Sequence, residues 1–403
     1  MKPKILFLCT TCPFGAMSGA AIRTRHVGRL LEKIGPVTMV AATAKPWSKD
    51  QLRETREAFN LAAYVEYLEA PVRSWRERLS KEFNPRDLNS NGVVAPAEDA
   101  RRVMELVAGH DVVWVHTFKL ANAFRQYHWP HSVIDADDIP SRYHRLAAAQ
   151  AQSLSTKFYR WRRAFADHRR ESVALDRFSI LTVCKESDRA HFGGGDRVHV
   201  VPNGFPVPTQ VPSRRGRASP PRIGMIGNFT YLPNHDGLRW FVANAWPDIR
   251  RQMPDAELHL IGAGSPELAQ PYLSQGVIGM GYVDDPDAEI ASWSAMIVPT
   301  RLGGGSHLKV AEGLARRVPI VTTSHGSRGY NVEAGKHVLM ADTATAFSQA
   351  CLRLLNHPGE GDRLIAAGWE LFNQQYSWDA IGPAVQSAVE HALRFTRSQP
   401  RSS

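Results

Sequence analysis

Two doubly wound α/β domains are expected from this sequence, and three observations carry the expectation. The chain opens with a buried strand over 4–9, a loop holding Pro13, Gly15 and Gly19, a helix over 21–34 and a second strand over 37–41. That strand–loop–helix–strand order begins a parallel sheet. The same pattern starts again with a strand over 222–226, after a stretch carrying Pro206, Pro208, Pro212, Pro220 and Pro221 that reads as a linker. Finally, Ser294 to Thr323 reads as buried strand, glycine-rich loop, helix and buried strand.

The remaining elements follow the same logic. Residues 50–60 read as a helix and 63–68 as a strand. Residues 74–96 are polar, are interrupted by Asn84-Pro85 and Asn91-Gly92, and read as an irregular insertion. A helix over 97–108 leads to a strand over 111–116 that ends in His116. The strand over 133–138 ends in Asp135, Asp137 and Asp138, and in an open α/β sheet strand ends point into the crevice where ligands bind. Residues 141–176 form a long helical region rich in cations, with Phe158, Tyr159, Trp161 and Phe165 interleaved. Such a pattern suits an anionic bilayer surface or nucleic acid, and it also suits a solvated helix whose aromatics pack inward. A strand over 180–184, a short helix over 185–192 and a strand over 198–202 close the first half. In the second half, helices are expected over 240–252, from Ala344, from Gly359 and over 378–395, with strands over 257–261, 277–282, 295–299, 318–321 and 337–340.

Ser294 to Thr323 is the stretch around which the chain is organised. Gly303, Gly304 and Gly305 have too little side chain to hold regular structure, and Leu308, Ala311, Gly313, Leu314 and Ala315 fall at helical spacing. A glycine run feeding a helix brings backbone N–H groups close to a ligand, and the free donors of the first turn suit a phosphate. Lys309 adds a mobile cation. Glu312 lies on the Leu308 face of the helix. Lys309 and Glu312 also fit an ordinary i, i+3 surface pair. No Gly-Lys-Ser/Thr follows the glycines and the spacing differs from a dinucleotide fingerprint, so neither of those phosphate loops is present.

The block GGGSHLKVAEGLARRVPIVTT resembles the donor-site signature of retaining glycosyltransferases of family 4, which have the GT-B fold of two Rossmann-like domains facing across a cleft. Within that family it is similar to the branch whose motif reads Gly-Gly-Gly-Thr-Arg-Leu-Lys-x-x-Glu-Ala. A second block, RIGMIGNFTYLPNHDGLRWFVANAWPDIRRQMPDAELHLIG, resembles the opening of the same family's C-terminal domain. The resemblance implies an acceptor-side domain over 1–205, a linker over 206–221, a nucleotide-sugar domain over 222–377, a helix over 378–396 crossing back to the first domain, and a tail over 397–403.

The resemblance also implies roles. Glu312 would accept hydrogen bonds from the ribose hydroxyls. Gly304, Gly305, Ser306, His307, Leu308 and Lys309 would hold the diphosphate, with Gly227, Asn228 and Arg301 completing the donor side. His116 would face the transferred sugar. Gly19, Arg23, Asp135 and Asp137 would line the acceptor side, whereas Arg25 fits a solvated helix face. Three departures matter. Gly304 stands where many members carry a sugar-contacting Glu, and His307 stands where the branch usually has Arg. The usual basic pair near the start of the second domain is also missing, with Asn228 and Leu232 in that region. The implied reaction is transfer of a sugar from a UDP- or GDP-type donor to a glycan, a lipid-linked molecule or another small acceptor, with retention and without a metal or other cofactor. The resemblance leaves room for an inactive sugar-nucleotide-binding protein or an epimerase of similar fold.

Composition agrees with that class. The 403 residues carry a formal charge of +10, which favours acidic partners such as nucleotide-sugars or an anionic membrane surface. No recognised nucleic-acid motif is present, so no nucleic-acid partner is expected. No run of 18 apolar residues exists, and the apolar part of 1–10 is too short for a signal peptide, so a cytoplasmic protein, peripheral at the inner membrane face, is expected. Cys9 and Cys12 form a lone CxxC; it lacks the second ligand pair of a zinc site and continues as a loop, not as the helix of a thiol-redox site.

Overall fold

The computed structural model describes residues 1–15, 18–70, 74–88, 92–208, 219–303 and 307–395. The chain divides into two compact units. The first comprises residues 1–203 together with the C-terminal residues from Ile381, and the second comprises Gly204–Ala380.

The first unit is built on a parallel sheet of β1 (Ile5–Cys9), β2 (Val37–Thr43), β3 (Leu61–Glu66), β4 (Val112–His116), β5 (Ser132–Ala136), β6 (Ile180–Val183) and β7 (Val198–Val200). Their order across the sheet is β3-β2-β1-β4-β5-β6-β7. The central strands are buried along their whole length, which explains why they read as continuous apolar runs rather than alternating ones. Ser18 caps the helix Gly19–Ile34, its hydroxyl accepting from Ala21 N at 3.2 Å. The last helix, Trp378–Arg394, belongs to this unit from Ile381 onward and buries Ile381, Val385, Ala388, Val389 and Ala392.

The second unit repeats the plan with β8 (Arg222–Ile226), β9 (Glu257–Ile261), β10 (Val277–Gly279), β11 (Ala295–Val298), β12 (Ile320–Thr322) and β13 (Leu339–Met340). The order is β10-β9-β8-β11-β12-β13, all parallel. Its core joins Ile223, Met225, Leu258 and Leu260 of the sheet to Phe241, Trp246, Phe347 and Leu355 of the covering helices.

Two expectations are corrected. The stretch 74–96 is not irregular throughout, because Trp75–Phe83 is a helix. Ser74 and Glu77 form a reciprocal cap, Ser74 Oγ accepting from Glu77 N at 3.2 Å and Glu77 Oε2 accepting from Ser74 N at 3.0 Å. Two otherwise orphaned N–H groups are thereby satisfied. Asn84, which precedes Pro85, ends the helix. The helix expected over 240–252 is in fact two, Leu232–Asn244 and Trp246–Gln252. Pro233 and Pro247 each sit in the opening turn of one of them, where a missing N–H costs nothing.

All four cysteines are buried and free. Burial pushes the Cys9 and Cys12 thiols up, which disfavours the thiolate that redox chemistry needs.

Candidate active site at two topological switch points

In each sheet the strand order reverses between two adjacent central strands, β1 and β4 in the first unit and β8 and β11 in the second. A crevice opens at that point beyond the carboxyl ends of the strands, because the connecting loops leave in opposite directions. The residues following β1, β4, β8 and β11 are therefore the ones to inspect.

In the second unit, β8 runs into Gly227, whose φ is +155°. The backbone here is tightly apposed: a Cβ on Gly262 would stand 2.0 Å from the Gly227 carbonyl oxygen. A Cβ on Gly227 would meet Lys309 Cε at 2.9 Å and Lys309 Nζ at 3.0 Å. The ammonium group thus lies against bare backbone at the end of β8. Asn228 is used locally: its Oδ1 accepts from Thr230 N at 2.9 Å, and its carbonyl accepts from Asn234 Nδ2 at 2.7 Å.

Lys309 opens the helix Lys309–Ala315. Its Nζ has no hydrogen-bond or ion-pair partner among the described residues, and burial lowers its pKa while Glu312 opposes the shift. Glu312 is pushed up to about 7 by burial, against the pull of Lys309. Its Oε1 accepts from Arg316 Nε at 3.2 Å, and Arg316 also pairs with Asp287. Arg301 is engaged by Asp236, Nη2 donating to both carboxylate oxygens at 3.0 Å, and its guanidinium lies 5.3 Å from the Trp240 ring centre. Leu308 precedes the helix as its cap, and the His307 ring centre is 5.4 Å from that of His325, which bonds the Gly303 carbonyl at 3.0 Å. Gly304, Gly305 and Ser306 lie outside the described residues.

In the first unit a cavity of about 250 Å³ opens beyond β1, β4 and β5, lined among others by Thr10, His116, Thr117, Asp135, Asp137 and Asp138. His116 ends β4 and is 3% exposed, yet among the described residues neither ring nitrogen has a hydrogen-bond partner. Burial lowers its pKa, with Asp135 and Asp137 acting in the opposite sense, which favours the neutral imidazole. Thr117 follows at φ +80°, a strained conformation for a non-glycine residue and one that turns the chain sharply at the cavity wall.

Arg23 and Asp135 come together, but on each other. Arg23 is 1% exposed; Nε donates to Asp135 Oδ2 at 2.9 Å and Nη2 to Oδ1 at 2.6 Å. Its Nη1 donates to the Val201 and Pro202 carbonyls and to Asn203 Oδ1. Arg23 therefore holds the cavity wall instead of presenting a free charge. Asp137 accepts from Asn203 Nδ2 at 2.8 Å and from Cys184. Gly19 starts its helix on the exposed side.

Residues not singled out in the sequence complete both sites. Asn203 ties Arg23 to Asp137. Asn234 braces the Gly227–Asn228 turn, and its place in the Tyr231-Leu-Pro-Asn234 block was the available signal. Among the described residues, the ligating atoms of His168, Glu171 and His191 lie within 4.8 Å of one another, a donor set that suits zinc. Glu171 already accepts from Ser141 N at 2.9 Å and His191 Nε2 at 2.7 Å, and so serves as a cap for the helix Pro140–Gln150.

The architecture is that of the GT-B glycosyltransferases, and solved structures sharing it align over nearly the whole chain. Sucrose-phosphate synthase from Thermosynechococcus elongatus aligns at 16% identity with a TM-score of 0.64, covering 94% of this chain and 96% of that one. HepE from Anabaena in complex with UDP and glucose aligns at 14% identity, TM-score 0.60, covering 94% and 97%. The lipopolysaccharide outer core galactosyltransferase WaaB aligns at 14% identity, TM-score 0.59, covering 96% and 99%. Within that class, residues 220–357 match the family of glycosyl transferases group 1. The matched residues all lie within the second unit. No curated protein matches the chain by sequence.

Proposed function

We propose that this protein is a retaining glycosyltransferase that moves a sugar from a UDP- or GDP-type donor to a glycan, a lipid-linked molecule or another small acceptor, with no metal in the reaction. The observation that carries the reading is Lys309. A half-buried cation without a hydrogen-bond partner among the described residues, 3.0 Å from the Cβ position of Gly227 and beside Glu312 at the switch point, suits a bound diphosphate.

In the proposed reaction the bond from the anomeric carbon to the phosphate oxygen breaks and a bond to the acceptor oxygen forms. The acceptor's proton leaves with the diphosphate. Negative charge grows on the departing phosphate, so a cation fixed there stabilises the transition state more than the ground state. Glu312 would accept hydrogen bonds from the ribose hydroxyls. Neutral His116 would donate one hydrogen bond and accept another at the sugar. HepE was solved with UDP and glucose, and that likeness of fold agrees with a nucleotide-sugar donor.

The test is a thermal-shift panel of UDP, GDP, ADP and TDP with their common sugar conjugates, with EDTA present, followed by NMR assignment of the product anomer. A selective rise with one nucleotide, and at least tenfold lower turnover in Lys309→Ala, is expected; a decade is about 1.4 kcal/mol, modest for a charge-assisted phosphate contact. Turnover within twofold of wild type would remove Lys309 from the site. Sugar conversion without acceptor would make the protein an epimerase.

A further inference from the structure

The helix Leu154–Ser172 is amphipathic in the inverted sense. Its buried positions include Ala164, Ala166, Asp167 and Glu171, small or acidic residues turned into the protein. Its large apolar residues face outward: Leu154 is 84% exposed, Phe158 69%, Trp161 51% and Phe165 55%. At 100° per residue these four fall within an arc of about 60°, so they form one continuous stripe. A helix that only had to fold would turn that stripe inward.

Charge identifies the occupant. The helix has two acids, Asp167 and Glu171, and both are buried. Its exposed part therefore carries cations alone. Lys157 has no partner among the described residues. The Arg169 guanidinium lies 6.0 Å from the Phe165 ring centre, and Arg160 lies between Tyr143 and Tyr159 at 5.8 and 5.9 Å. On the neighbouring helix Trp75–Phe83, joined by the Arg162–Glu82 ion pair at 2.9 Å, Trp75 is 67% exposed. Aromatic and aliphatic side chains flanked by unneutralised Lys and Arg match the boundary between headgroups and acyl chains of an anionic bilayer. A second copy fits poorly, because a symmetric contact would set these cations against themselves.

We infer that the Leu154–Phe165 face seats the protein peripherally on an anionic lipid surface, the aromatics entering the interface and the cations meeting lipid phosphates. The same helix ends at the cavity, whose lining includes Asp167, Arg170 and Glu171. From Trp161 to Arg170 is about 14 Å along the axis, so a seated protein holds its first-unit cavity close to the headgroups. Seating stands independently of the transfer reaction.

The experiment uses the full chain with sedimented vesicles of phosphatidylcholine alone and of phosphatidylcholine with about one third phosphatidylglycerol. Binding to the anionic vesicles, weakening with salt as expected for surface charge, is the expected result. The Phe158→Ser/Trp161→Ser variant should lose at least tenfold in partitioning while its Tm and its nucleotide thermal shift stay at wild-type values. A second variant, Lys157→Glu/Arg169→Glu, should lose the lipid dependence without altering the aromatic stripe. Failure of wild type to bind anionic vesicles, equal binding by the aromatic variant, or a concentration-dependent dimer abolished by the same substitutions would each overturn the inference. The nucleotide shift on the same samples reports the transferase reading separately.

Discussion

Arg23 grips Asp135 with two parallel hydrogen bonds, Nε to Oδ2 at 2.9 Å and Nη2 to Oδ1 at 2.6 Å, and both side chains are 1% exposed. Planar guanidinium and planar carboxylate match, which fixes both orientations at once. Thr182 Oγ1 adds a third hydrogen bond to Oδ1 at 2.8 Å. Asp135 stands opposite His116 in the pairing of β5 with β4, so the clamp sets the wall beside that imidazole.

Breaking the clamp on one side leaves a buried charge without its counter-charge. Arg23→Met is expected to destabilise the protein by about 3–5 kcal/mol, and the double variant Arg23→Met/Asp135→Leu by clearly less, because the charges are then removed together. Urea unfolding of the two variants checks this. Equal losses would mean that Arg23 acts through its contacts to Val201, Pro202 and Asn203.

Among the described residues His116 has no hydrogen-bond partner to lose. Replacing it with Phe keeps a ring in place and removes two buried unpartnered nitrogens, so Tm should hold or rise slightly. Transfer should fall at least tenfold, mainly in kcat. A large drop in Tm with unchanged kcat would make the residue structural.

Gly227 is strained ground for any side chain. Gly227→Ala puts a Cβ 2.9 Å from Lys309 Cε at φ +155°, and a non-glycine residue there costs on the order of 1–3 kcal/mol. The expected outcome is a lower Tm together with at least tenfold weaker nucleotide-sugar binding, because Lys309 must move. Calorimetry showing wild-type affinity would separate Lys309 from donor binding.

Glu312 sets a pH dependence. Burial raises its pKa from 4.5 to about 7, so between those values the folded state holds a proton that the unfolded state has released. Glu312 therefore lowers stability as pH rises through that window. Nucleotide-sugar affinity should move the opposite way, strengthening from pH 6 to 8 as the carboxylate that accepts from ribose forms. Glu312→Gln should flatten both trends and weaken binding about tenfold. An affinity profile in the variant parallel to wild type would place the titrating group elsewhere.

Contiguous patterns were legible in the sequence. The strands at Ile5–Cys9, Val112–His116, Arg222–Ile226 and Ala295–Val298 stand out because strands buried on both faces are unbroken apolar runs. The Lys309–Glu312 spacing on one helix was legible for the same reason, since 3.6 residues per turn converts sequence distance directly into direction. The helix Trp75–Phe83 was equally legible in Ser74-x-x-Glu77 and was missed because the neighbouring Asn-Pro and Asn-Gly signals outweighed its cap.

The sequence by itself determined two parallel α/β sheets, where each crevice loop falls, and a positively charged chain. Only the tertiary structure decided what the charged residues do. Arg23 and Asp135 are 112 positions apart, and nothing local distinguishes an arginine offered to a ligand from one consumed by a carboxylate across the sheet. Phe158, Trp161 and Phe165 fall on one face wherever this segment is helical. Whether that face meets protein or water depends on which other elements reach it, and packing, not periodicity, turned it outward.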